Sequence, residues 1–232
     1  MKKVTLSTFA AIFLLASAFA DSDKRVVHSI NISVPVQMEN WKNDTSLFST
    51  DTTKNENNDV TLTGVNFNWN RMTVNDGGFS FLIGAGLGAT SLNSDDLSFV
   101  DGHSGFDTGM KFGWGFAPVR SENNILALHA FFSFNLKYIT SSESKSIGES
   151  SVDIESTIEY FSSAIGIDAI FVHNFSEHFG LFAGIDVSTT VLGISEIFIE
   201  SNNRQLVDND SFSFDISGRV NITPTIGICW II

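Results

Sequence analysis

Residues 211–232 read SFSFDISGRVNITPTIGICWII. In steps of two, Phe212, Phe214, Ile216, Val220, Ile222, Ile226, Ile228, Trp230 and Ile232 fall on one face. Asp215, Ser217, Arg219, Asn221, Thr223, Thr225 and Cys229 fall on the other. A period of two predicts a β-strand with one apolar and one polar face. The run far exceeds the usual globular strand of about 5–6 residues, which points to the wall of a barrel.

The same pattern recurs upstream. Alternation predicts strands near residues 26–38, 60–74, 79–90, 106–117, 126–138, 152–172 and 179–191, which with the last stretch makes eight. Pro35 has no N–H for a ladder and predicts a local irregularity in the first. The apolar phase changes at Gly64, where we expect a β-bulge, and again near Tyr160-Phe161. Asn75-Asp76-Gly77-Gly78 predicts a tight turn. Polar segments at residues 39–58, 91–105, 141–151 and 193–210 read as long loops, with Ile197-Phe198-Ile199 able to extend strand pairing into the last. Long and short connections thus alternate. The fold class is all-β, an eight-stranded antiparallel up-and-down transmembrane β-barrel.

Residues 1–20 carry Lys2 and Lys3, an apolar run from Phe9 to Phe19, and Ala18-Phe19-Ala20 before Asp21. This is the pattern of a signal peptide with a small-x-small cleavage site, and the apolar run is too short to span about 30 Å of hydrocarbon. The barrel domain is then 21–232. Cleavage removes two of the 13 basic residues and none of the 26 acidic ones, leaving a formal charge of −15. Such acidity excludes nucleic acid as a partner. Cys229 is the single cysteine, so the chain forms no internal disulfide.

Alternation alone does not say which face points outward. A secreted, lipocalin-like ligand-binding barrel would turn the apolar face inward. Three features favour the membrane instead. The polar face is rich in glycine and small residues, the apolar face holds much of the phenylalanine, and the tryptophans are sorted by depth. Trp69, Trp114 and Trp230 lie beside the short turns, while Tyr138 and Tyr160 lie toward the long loops, as two aromatic girdles would require.

On these strands and girdles the chain resembles the small eight-stranded outer-membrane proteins, the OmpA transmembrane domain, OmpX, OmpW and Opa group. The resemblance spans residues 26–232 and rests on pattern. The Phe- and Gly-rich strands are also similar to small outer-membrane proteins of spirochaetes. It implies a monomer in the bacterial outer membrane, with outer-membrane lipid around it, both termini periplasmic and the long loops extracellular. Members end in an aromatic residue read by the assembly machinery; here Ile231 and Ile232 follow Trp230.

The expected lumen-lining residues are Asp107, Lys111, His129, Lys137, Asp168, Asp186, Asp215 and Arg219. Counted from the turns, His129 and Asp168 fall at one height and Lys111 and Asp186 at another. Charges in a narrow lumen must pair, which gives either a structural plug or a narrow pore. The inward glycines, Gly84, Gly86 and Gly88 beside Gly109, Gly113 and Gly115, either line a channel or make room for Phe131 and Phe182. His173 and Ser176 share a periplasmic turn, and His103 lies near Asp101 and Ser104 in an outer loop. Neither is a catalytic constellation, so no enzyme, cofactor or metal is expected. The expected role is a surface barrel with a polar, plugged or narrow lumen that passes at most small solutes. The alternative is an adhesin that binds a host surface molecule through its loops.

Overall fold

The computed structural model describes residues 24–43, 57–94, 102–147, 150–201 and 210–232. The signal-peptide reading of residues 1–20 lies outside them. Nine strands follow in order: β1 (Lys24–Ser33), β2 (Val36–Asn43), β3 (Asn57–Asn75), β4 (Phe79–Asn93), β5 (Ser104–Arg120), β6 (Asn124–Ile147), β7 (Ser150–Asn174), β8 (Phe179–Ser201) and β9 (Asp210–Ile231). All pairings are antiparallel, and the sheet closes on itself.

β1 and β2 are two halves of one wall, which restores the expected eight. Both halves pair with β3 and with β9, and the β3 register is the same on either side, Ser33↔Asn66 and Val36↔Thr63. The break falls at Val34-Pro35. Val34 N–H donates to Pro224 O (3.1 Å) and Gly64 N–H donates to Pro35 O (3.2 Å). Neither proline has an N–H to return the bond.

Neither of the two expected phase changes is an irregularity of the strand that carries it. Gly64 pairs with Thr90 inside an unbroken ladder from Thr61↔Asn93 to Val74↔Ser80, so there is no bulge there. Val60 and Leu62 share the inward phase of Asn66, Asn68 and Asn70; the apolar residues have simply moved to the inside. β7 keeps its inward phase through Ile158, Tyr160, Ser162 and Ala164, all buried. Tyr160 is therefore inside the barrel and not in a girdle.

The real bulges lie elsewhere. Val191 is an extra residue on β8, between Ser163↔Leu192 and Ala164↔Thr190. Arg219 is an extra residue on β9, between Met38↔Val220 and Glu39↔Gly218. This second bulge reverses the final strand's phase: Ile216 is buried while Ser217 is exposed.

The loops expected at residues 141–151 and 193–210 are shorter. β6 and β7 pair as far as Ile147↔Ser150. β8 and β9 pair through Ile197↔Phe212 to Ile199↔Asp210, as the Ile-Phe-Ile stretch allowed. β6 to β9 thus form a wall of 22 to 25 residues per strand, against 15 and 17 for β4 and β5. The tight turn after β3 is as expected, with Gly78 at φ 87°, a left-handed conformation that glycine alone adopts freely.

The outer face is apolar, with Ile167, Ile226 and Phe67 all more than half exposed. That is the reverse of a lipocalin and suits lipid. At the turn end, Trp114 is exposed, and the His28 ring stacks on Trp230 (5.5 Å between centroids) beside Trp69 (5.9 Å). Exposed Tyr138 marks the loop end.

Candidate functional site

The lumen has three tiers. At the loop end, Trp41, Val60, Leu62, Leu92, Ile139, Ile158, Tyr160, Ile197 and Ile216 pack into one buried apolar cluster. At the turn end, Val27, Met72, Val74, Leu82, Ala117, Ile125, Ala127, Ile170, Val172, Phe182 and Cys229 pack into another. Between them the inward residues are mainly polar or glycine, with Phe131 and Ala164 among them, and surround a cavity of about 110 Å³.

The middle tier owes its space to glycine. Asn66, Asn68 and Asn70 of β3 lie in register with Gly88, Gly86 and Gly84 of β4. A Cβ on any of these glycines would run into the Oδ1 of its facing asparagine. Asn135 meets Gly109 in the same way. The amides therefore lie along the wall instead of across the lumen. The glycine-lined strands are thus neither a bare channel nor room for Phe131, which is accommodated instead against Gly166.

Six of the eight expected lumen residues meet there. Lys137 Nζ donates to Asp107 Oδ2 at 2.6 Å, a buried pair to which Asn66 Nδ2 adds a bond at 3.2 Å. Lys111 Nζ donates to both oxygens of Asp186 (3.0 and 2.9 Å) and lies 3.3 Å from Asp168 Oδ2. Asp168 Oδ1 is 2.7 Å from His129 Nδ1, and His129 Nε2 is 2.8 Å from Ser80 Oγ. One chain of polar contacts thus runs from Asp186 to Ser80. In a low-dielectric interior each charge is tolerable only because it is paired.

Of the other two, Arg219 does not join this set. Arg219 sits on its bulge at the outer rim and pairs with Asp59 (2.7 Å), both more than half exposed. The bulge turned it out of the lumen. Asp215 lies on β9 opposite Lys42 and Ile194; its side chain is outside the described residues.

The order Asp168–His129–Ser80 is that of a hydrolytic triad. Ser80 and His129 are fully buried, however, and neither belongs to the lining of the chamber. The arrangement satisfies buried polar groups without exposing a nucleophile. His103 is buried and bonded to Ser156 Oγ; Asp101 lies outside the described residues. His173 Nδ1 is 2.9 Å from Asn124 Oδ1, and Ser176 Oγ accepts from Phe179 N–H, so both hold turns together. Among the described residues no group of three or more His, Cys, Asp or Glu could hold a metal ion.

Sequence reading missed Glu39, which is 1 % exposed. It accepts hydrogen bonds from Trp41 Nε1 (3.2 Å), the Tyr160 hydroxyl and Thr190 Oγ1 (3.1 Å). The signal was present: Glu39 and Trp41 continue the inward phase of Asn31, Ser33 and Gln37. The polar residues that follow concealed it.

No family model matches the chain, and no curated protein matches its sequence. Solved structures do match. The outer membrane protein OprG from Pseudomonas aeruginosa superposes with a TM-score of 0.52 over 90 % of this chain and 95 % of its own, at 9 % identity. A major outer membrane protein from Thermus thermophilus gives 0.51 over 88 % of this chain and 99 % of its own, also at 9 % identity. This chain has the fold of the small outer-membrane β-barrels.

Proposed function

We propose that the protein is a bacterial outer-membrane surface barrel that is closed along its axis at rest. In this reading the termini and tight turns are periplasmic, and the tall β6–β9 wall faces the exterior. The observation that carries it is the pair of apolar clusters bracketing the polar chamber. A hydrated ion entering from either end meets packed side chains, and desolvating it there is costly. A solute could pass along the axis only by displacing both clusters. No catalytic role is proposed, since Ser80 is sealed from the chamber.

The test is conductance of the refolded chain in a planar bilayer. The native chain should insert without discrete openings. A Trp41→Ala/Tyr160→Ala/Phe182→Ala variant, with both clusters thinned, should conduct. Openings in the native chain that change with Lys111→Gln would overturn the reading in favour of a charged pore. Silence of both chains would favour the second reading, in which the tall wall is the working surface and the barrel only its support.

A further inference from the structure

On β3 the outward face changes chemistry toward the turn. It runs Val65, Phe67, Trp69 and then Arg71, Thr73 and Asn75, while the alternate residues Asn70, Met72 and Val74 are buried inside. β4 stays apolar alongside, with Ile83 opposite Arg71 and Phe81 opposite Thr73. On the other flank β1 sets His28 opposite Arg71, and His28 lies opposite Trp230 of β9. The His28 ring is stacked on Trp230 with 11° between the planes and stands 5.9 Å from Trp69. Ile30, Phe67, Phe79 and Ile228 around this group are more than half exposed, so it stands on lipid-facing wall. A guanidinium and an imidazole thus interrupt the apolar band between two indoles.

Charge on the outer wall is sorted by depth. Toward the loops Glu155, Glu159 and Glu196 are exposed, and Glu159 stands directly opposite Glu196. Carboxylates so placed repel an anion. Toward the turns stand Arg25, Arg71 and Arg120. Arg25 and Arg120 each donate to a main-chain oxygen, of Ser121 and Ala117 respectively, while Arg71 lies next to Trp69 on the same face. A guanidinium on a lipid-facing wall is tolerated near the interface, the depth at which Trp rings also settle. The anion available there is phosphate.

We propose that Arg71 and His28 bind the phosphate of a phospholipid headgroup in the leaflet on the turn side, with Trp69 and Trp230 packed against the lipid beside it. The guanidinium presents a planar fork that matches two phosphate oxygens. Its Nε is covered by the wall, so an anion from outside meets the two Nη groups. Thr73, next along the same face, adds a hydroxyl donor. The setting selects a lipid over a free ion. The flanks of the site are apolar and lie within the band that acyl chains cover, where a free phosphate would lose its hydration. Naming the leaflet as periplasmic rests on the orientation proposed above; the chemistry of the site does not.

The test is NMR of the ¹⁵N-labelled, refolded chain in micelles of dodecyl maltoside, a detergent without phosphate, as dioctanoyl phosphatidylglycerol is added. The four indole N–H signals are the reporters. Those of Trp69 and Trp230 should shift saturably, while those of Trp41, inside the barrel, and Trp114, on β5, should not follow the same curve. Dioctanoylglycerol, with the same chains and no phosphate, should leave all four in place. Arg71→Gln should weaken binding by about tenfold, the loss of a hydrogen bond between charged groups. Arg71→Lys keeps the charge without the fork and should weaken it less, and it decides the matter if Arg71→Gln fails to refold. Undiminished binding by either variant, or equal responses to both lipids, would mean general contact with lipid and would overturn the proposal. The same saturable shift from inorganic phosphate alone would overturn it in favour of a free-ion site. Because the shifts are read in micelles, conduction by the native chain would refute axial closure and leave this site standing.

Discussion

The two ends of the lumen are closed by different physics. The turn-end cluster is made of apolar side chains and the Cys229 thiol and closes mainly by packing, with the buried Ser80–His129 hydrogen bond beside it. The loop-end cluster is built around Glu39, a buried carboxylate held by three neutral donors from Trp41, Tyr160 and Thr190. Apolar packing tolerates small rearrangements, because dispersion has no direction. A buried carboxylate does not, since each lost donor leaves uncompensated charge. The turn end is thus a general seal, and the loop end is a specific one, closed in a single arrangement.

The largest effect should come from the general seal. Phe182→Ala removes a ring that is 2 % exposed in the turn-end cluster and breaks no hydrogen bond. The loss should be about 3–5 kcal/mol, from transfer and cavity together. Urea unfolding of the barrel in phospholipid vesicles measures it. A cost under about 1 kcal/mol would mean that the cluster collapses around the gap, and that packing does not close this end.

The specific seal responds to chemistry instead of volume. Glu39→Leu leaves three buried donors without an acceptor, at about 1–3 kcal/mol each. It also removes a buried carboxyl whose desolvation costs several kcal/mol. The net loss should therefore be about 2–3 kcal/mol by the same measurement. The second change, Tyr160→Phe, removes one of those donors. On the Glu39→Leu background it should therefore destabilise less than on the native one, a coupling visible in a double-mutant cycle. If the two changes add instead, the Tyr160 hydroxyl does not depend on Glu39, and the contrast between the ends fails.

How legible each region was follows from the same contrast. In the middle tier the inside is polar and the outside apolar, so period-two reading located the strands, the turns, and the Lys111–Asp186 and His129–Asp168 partners. At both ends the inside turns apolar as well. Val60, Leu62 and Tyr160 then resembled a change of phase, although the backbone keeps its register. The converse held in the final strand. Its apolar residues suggested one smooth phase, while the extra residue Arg219 reversed it and carried Ile216 inside. Hydrophobic alternation reports a strand's phase only while the two faces differ. Hydrogen-bond register settles the rest, and it depends on the neighbouring strands.

The smallest effect is also the most discriminating. Glu39→Gln keeps an acceptor for Tyr160 and Thr190, which share Oε1, and replaces Oε2, the partner of Trp41 Nε1, with a donor. If the loop-end seal depends on hydrogen-bond geometry, the variant should lose about 1 kcal/mol, the worth of one ordinary bond. The indole N–H signal of Trp41 should shift while those of Trp69, Trp114 and Trp230 at the turn end stay in place. If the carboxylate charge itself is what the end tolerates at a cost, neutralising it should leave stability unchanged or raise it, because a buried charge gives way to a neutral group. A gain in stability would show that the Glu39 carboxyl is held in place at a cost to the fold. The loop end would then be the weaker of the two seals, and the place where a passing solute would first open the barrel.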